Sequence, residues 1–259
     1  MIAPDSPFAC PSPASMDSAM PDMPDVTVDD PDCTVPDPDT VASYTFEGAL
    51  GADSSGNHPR SIRGNVTTSA GRCGSAAARF ETGYILVPDA AAFDLATGSI
   101  ELYARLSTTT TVDNQTLIAR DASGTASDGH FLILVTTTGA LVTRLQVGGV
   151  THCRAVSDFP VARWAHVGVS FGGVAGQGLR MWLDGVEATG PMATLDGSPV
   201  DCTGQPTGGI AGNDNALLIG ASNARNPVDA DPDPSPTQHI LDGEIDQVHV
   251  RAAWRDFSR

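Results

Sequence analysis

Short runs of alternating apolar and polar residues recur along most of the chain. They fall at 41–47, 77–80, 84–87, 99–106, 115–120, 130–136, 140–147, 151–156, 164–171, 179–183, 216–219 and 241–250. A period of two marks half-buried strands, whose successive side chains point to opposite faces. Clusters of Gly, Asp and Ser separate the runs, and Thr138-Gly139 and Asp184-Gly185 read as hairpin turns. Helical periodicity is nearly absent, with a single turn expected at 89–94. A dozen or so short strands with such turns predict an all-β fold: one two-sheet antiparallel β-sandwich or jelly roll over 41–259.

The two ends of that region match. Run 41–47 is followed by Asp53-Ser-Ser-Gly-Asn57, and run 241–250 contains Glu244-Ile-Asp246. First and last strands lying side by side would explain the pairing. Asp246 shares strand parity with Val248 and Val250, so the alternation points it to the apolar side. An unpaired carboxylate there is costly. A calcium ion held by Asp53, Asn57 and Asp246, with the His58 carbonyl, would remove the cost, because calcium takes six to eight oxygen ligands. The alternative is an Asp246 that accepts backbone N–H bonds, with no metal.

Composition separates off the first 40 residues. They contain nine Asp, nine Pro and no basic residue. Repeated Pro-Asp pairs cannot build a packed core, so 1–40 reads as a disordered, solvated tether. Net charge is -17, and all 14 basic residues are Arg. That balance argues against nucleic acid, whose affinity comes mainly from cations at phosphates. No apolar stretch reaches the roughly 18 residues of a membrane span.

The five cysteines, Cys10, Cys33, Cys73, Cys153 and Cys202, form no CxxC pair. Scattered in an acidic, Lys-free β protein, they read as the disulfide set of an extracellular or cell-surface protein. The expected pairs are Cys33–Cys73 and Cys153–Cys202. Cys10 is then free or modified; one reading is a lipid anchor, although Ser6-Pro-Phe-Ala-Cys10 is a poor lipidation signal.

Several motifs stand in a recognisable order. They are Tyr44-Thr-Phe-Glu-Gly48, Ala78-Arg-Phe80, Tyr84-Ile-Leu-Val-Pro88, Gly98-Ser-Ile-Glu-Leu102, Arg163-Trp-Ala-His-Val-Gly-Val-Ser-Phe171, Met181-Trp-Leu-Asp-Gly185 and Leu241-Asp-Gly-Glu-Ile-Asp246. In these the chain resembles the laminin-G-like, concanavalin A-like lectin/glucanase jelly-roll domains of secreted bacterial proteins. The resemblance covers about 41–255 and implies a non-catalytic binding module for a glycan or a surface protein. It also supports a structural calcium. Where the family closes on a Tyr-Asn-Arg-Ala-Leu-like segment, this chain has Arg251-Ala-Ala-Trp-Arg255.

Glycoside hydrolases of the same architecture carry Glu-x-Asp-x-(x)-Glu on a strand, and retaining hydrolysis needs two facing carboxyls. Here Val248 and His249 occupy the positions of the second Glu. The motif is therefore read as structural and the protein as no enzyme. The alternatives are a hydrolase or lyase of this fold, or a purely structural adhesion or spacer domain. Trp182, opposite in parity to Met181 and Leu183, is the candidate sugar-stacking platform. His166 alternates opposite Val167, Val169 and Phe171 and reads as a structural histidine.

Overall fold

The computed structural model describes residues 33, 35–50, 52–56, 58, 60–107, 113–120, 128–174, 177–188, 194–195, 198–199, 208–223 and 237–259. The strands are β1 (Thr40–Tyr44), β2 (Ser61–Arg63), β3 (Val66–Ser69), β4 (Ala77–Phe80), β5 (Tyr84–Val87), β6 (Gly98–Leu106), β7 (Gln115–Arg120), β8 (Phe131–Val135), β9 (Leu141–Val147) and β10 (Val150–Val156). After them come β11 (Ala165–Phe171), β12 (Arg180–Leu183), β13 (Val186–Glu187), β14 (Thr194–Leu195), β15 (Ser198–Pro199), β16 (Leu217–Ile219), β17 (Ser222–Asn223), β18 (Thr237–Gln238) and β19 (Gly243–Arg251). The single turn expected at 89–94 is a 3-10 turn, Ala91–Phe93.

Two antiparallel sheets carry the fold. The first runs β13-β12-β11-β6-β19-β4-β3, with β1 also on β19. The second runs β10-β9-β8-β7-β16-β5-β2. The matching chain ends meet as expected: Ala42, Ser43 and Tyr44 pair with Val250, His249 and Val248. Thus β19 lies between β6 on one side and β4, then β1, on the other. Asp184 and Gly185 both take positive φ, 49° and 79°, the pair of values that a tight two-residue hairpin between β12 and β13 requires.

Alternation fills the space between the sheets. Ile100, Leu102, Ala104 and Leu106 of β6 face Phe131, Ile133 and Val135 of β8, with Tyr44, Phe80, Phe93 and Phe171 in the same core. Each such Val, Leu, Ile or Phe side chain taken fully out of water contributes about 1.5–3 kcal/mol.

One strand breaks the alternation. Ile245 faces Ala104 and Asp246 faces Tyr103, but His249, not Val248, comes next in register, against Glu101. Gln247 is the bulged residue, with φ of 53°. Ile245, Val248 and Val250 therefore join the core, while Asp246, His249 and Arg251 share the outer face. The parity expected for Asp246 is corrected accordingly: it points away from the apolar interior.

Cys33 and residues 35–39, expected as the end of the tether, lie against the domain. Cys33 is disulfide-bonded to Cys73 with the α-carbons 5.5 Å apart. Cys153 is also disulfide-bonded; its expected partner Cys202 lies outside the described residues, as do Cys10 and residues 1–32. The Cys33–Cys73 link spans 40 residues. Replacing both cysteines by serine is expected to cost about 2–4 kcal/mol by freeing that loop in the unfolded chain. The shift in urea midpoint against wild type measures it.

Candidate functional site

The outer face of the first sheet is where charged side chains gather. β6 presents Ser99, Glu101 and Tyr103 outward, β11 presents His166, Gly168 and Ser170, and β19 presents Asp246, His249 and Arg251. On an open sheet these would be wet. Here two terminal segments cover them, and Glu101, Tyr103, His166 and Arg251 are buried.

Residues 35–39 form one cover. Asp37 accepts hydrogen bonds at Oδ2 from Arg251 Nε (3.1 Å) and Arg255 Nη2 (2.9 Å). Its Oδ1 accepts from Asp39 N and Thr40 Oγ1. Burial raises the Asp37 pKa, but Thr40, Arg251, Arg255 and the Asp39 N–H together outweigh it, and the carboxyl sits below its usual range. Arg251 Nη2 donates to Glu101 Oε1 at 2.8 Å, and His166 Nε2 lies 3.6 Å from Glu101 Oε2.

The C-terminal segment is the other cover. Arg255 N and O both bond the Ser170 hydroxyl, and Arg259 Nη2 donates to Tyr103 Oη. Phe257 sits edge-on between His166 and Trp182, with ring centroids 5.8 and 5.5 Å away. It rests on Gly168, where a Cβ would come within 2.5 Å of its ring. Gly168→Ala is therefore expected to lift Phe257, at a cost of about 1–3 kcal/mol. Faster amide exchange confined to 254–259 and their seat would show it.

Trp182 is only 1% exposed, edge-packed by Trp254 and Phe257. It offers no ring face to solvent, so the stacking platform expected there is not at the surface. Between the two covers lies a cleft of about 310 Å³, lined by Asp37, Glu101, Arg251, Arg255, Asp256 and Phe257 among others. The Ser258 N–H and hydroxyl hold the Asp256 carboxyl below its usual range.

The residues expected to bind calcium are placed as follows. Asp53 Oδ1 accepts from the Ser43 and Ser55 N–H groups, and Oδ2 from Ser55 Oγ and His58 N. Asp246 Oδ2 accepts from the N–H groups of Arg72 and Cys73. Its Oδ1 is buried without a partner of hydrogen-bonding geometry. Asn57 lies outside the described residues. Among the described residues no three His, Cys, Asp or Glu side chains gather closely enough to hold a metal. Donors rather than acceptors crowd both oxygens of Asp53, which does not fit a shared cation.

Burial pushes the Asp246 pKa up to about 7, against the pull of the Cys73, Arg72 and Gln247 N–H groups; Glu47 adds to the rise. Glu244, the other half of the hydrolase-like pair, is held bidentately by Arg105, whose guanidinium lies over the Trp164 ring.

Sequence reasoning missed two charged centres. One is the Glu101–Arg251–Asp37 group just described. The other is Arg120, whose side chain is wholly buried. It donates to the carbonyls of Phe93, Ile210, Asn213 and Asn215 and to the Asp89 and Asp94 carboxylates. The signal for both was a charged residue within or closing a strand of apolar alternation.

The fold is a two-sheet antiparallel β-sandwich, with the outer face of one sheet roofed by residues 35–39 and 254–259. No family model and no curated protein matches the sequence. Solved structures do match the fold. The binding domain of botulinum neurotoxin serotype D superposes with a TM-score of 0.54 at 11% identity, over 85% of this chain and 49% of that one. The receptor-binding domain of the mosaic serotype C/D neurotoxin gives 0.55 at 10% identity, over 85% and 48%. The CBM40 domain of the Ruminococcus gnavus IT-sialidase, bound to α2,3 sialyllactose, gives 0.50 at 13% identity, over 83% and 94%. The chain spans about half the length of the neurotoxin binding domains it matches.

Proposed function

We propose that this chain is a non-catalytic, extracellular binding module that recognises a glycan at the cleft between the two terminal segments. The cleft itself carries the reading. It sets guanidinium donors (Arg251, Arg255) and carboxylate acceptors (Glu101, Asp256) beside the half-buried ring of Phe257. Charge-assisted hydrogen bonds suit sugar hydroxyls, and an aromatic ring suits the C–H face of a pyranose.

Three further observations support it. The fold is shared with a carbohydrate-binding domain and with toxin receptor-binding domains. The laminin-G-like motifs imply the same use. The Cys33–Cys73 disulfide suits an oxidising compartment, and among the described residues no helix is long and apolar enough to cross a membrane. A lipid anchor at Cys10 would place the module on a surface with residues 11–32 between anchor and domain. A glycan array, read beside a polysaccharide-degradation assay, tests the proposal. Binding without turnover is expected. Turnover would favour a hydrolase or lyase, and no binding to any glycan would favour a spacer.

A further inference from the structure

We propose that Arg251 and Arg255 form a carboxylate subsite, occupied in cis by Asp37 and open to the carboxylate of an acidic sugar when the 35–39 segment lifts. The inference rests on the glycan reading of the cleft and names the class of sugar it takes.

The geometry points to exchange. One oxygen of Asp37 receives both guanidinium groups, much as a ligand carboxylate would. The pair retains unused donors: Arg251 Nη1 and Arg255 Nε are buried and without hydrogen-bond partners. The Arg251 side chain is only 4% exposed. A buried guanidinium N–H left unbonded is costly, and Asp37 satisfies only part of this pair. A planar carboxylate free to choose its own approach can reach more of these donors than one fixed to a short segment.

The occupant is built to stay without being fixed. The Cys33–Cys73 disulfide anchors the segment four residues before Asp37, and β1 begins three residues after it. Between these anchors its hold on the sheet is mostly ionic: Asp37 to both arginines and Asp39 to Arg255, with the Ala252 N–H on Asp39 O. Val35, on the cleft wall, is 78% exposed, so little apolar burial opposes lifting. Charge also favours exchange. The segment withdraws two carboxylates and the ligand returns one, which lowers the negative charge at the site. A tethered carboxylate at an effective concentration of millimolar order hides the pair from free carboxylates of similar or weaker affinity.

Calorimetry on the full chain with α-1,4-linked trigalacturonate, and with its methyl ester as the uncharged counterpart, tests the proposal. Asp37→Asn is expected to bind the acid at least tenfold more tightly than wild type, and to change ester affinity by much less. Adding Arg255→Gln, at a half-exposed position, should abolish the gain. Asp39→Asn, which leaves Asp37 in place but loosens the segment, should give a smaller gain in the same direction. Three outcomes overturn the proposal: acid affinity equal in wild type and both single variants, an equal gain for acid and ester, or no acid binding in any protein. The glycan reading fails separately, if neutral glycans also show no binding on the array.

Discussion

Arg120→Met is expected to lower stability by about 3–5 kcal/mol, the largest loss of any single exchange considered. Methionine fills much of the same volume, so the cost is not a cavity. It comes from stranding four carbonyls and two carboxylates that converge on one guanidinium at one end of the sandwich. Removing one partner of a buried ionic group costs about this much because the remainder is left uncompensated. Arg120→Lys should recover only part, since an ammonium has three donors and no planar fork. At about 2–4 °C per kcal/mol for a domain of this size, the Met variant should melt at least 6 °C lower. A loss below about 1 kcal/mol would mean that the surrounding loops hold without the hub.

Asp246 should make stability fall as pH rises. Its folded pKa, about 7, lies above the ordinary 3.8. Between those values the folded chain keeps a proton that the unfolded chain has released, so the folded state is progressively disfavoured up to about pH 7 and no further. Three pH units correspond to roughly 4 kcal/mol. Asp246→Asn keeps an oxygen for the Arg72 and Cys73 N–H groups but cannot ionise. Its stability minus that of wild type should be near zero at pH 4 and favour the variant at pH 8. Titrations common to both proteins cancel in the difference. Asp246→Ala should lie about 1–3 kcal/mol below the Asn variant at both pH values, because the Arg72 and Cys73 N–H groups lose their acceptor. An Asn variant equally weakened at pH 4 and pH 8 would contradict the burial argument. Urea midpoints at the two pH values decide it.

The sheets were legible in the sequence because alternation is a local signal. Runs 41–47 and 241–250, some 200 residues apart, could be matched because both alternate apolar and polar residues, and β1 and β19 do pair. The orientation of Asp246 was not legible. A bulge at Gln247 inverts parity, and a run that reads Ile-Asp-Gln-Val-His-Val contains no residue that requires one. Arg120 and Arg251 close their strands, and nothing near them in sequence shows that distant loops or segments will cover them. Trp182 failed as a platform for the same reason: Trp254 and Phe257, some 70 residues later, close over it. Strand faces follow from nearest neighbours, whereas the cleft comes from the docking of segments more than 200 residues apart.

Ligand is expected to enter the cleft between residues 35–39 and 254–257. Backbone amide shifts of the full chain, recorded during titration with the strongest glycan from the array, test it most directly. Perturbations are expected to concentrate at Val35, Asp37, Asp39 and 254–257, with Glu101 and Arg251 beneath them. Perturbations centred on the second sheet or on the Asp53 turn, with these residues silent, would contradict it.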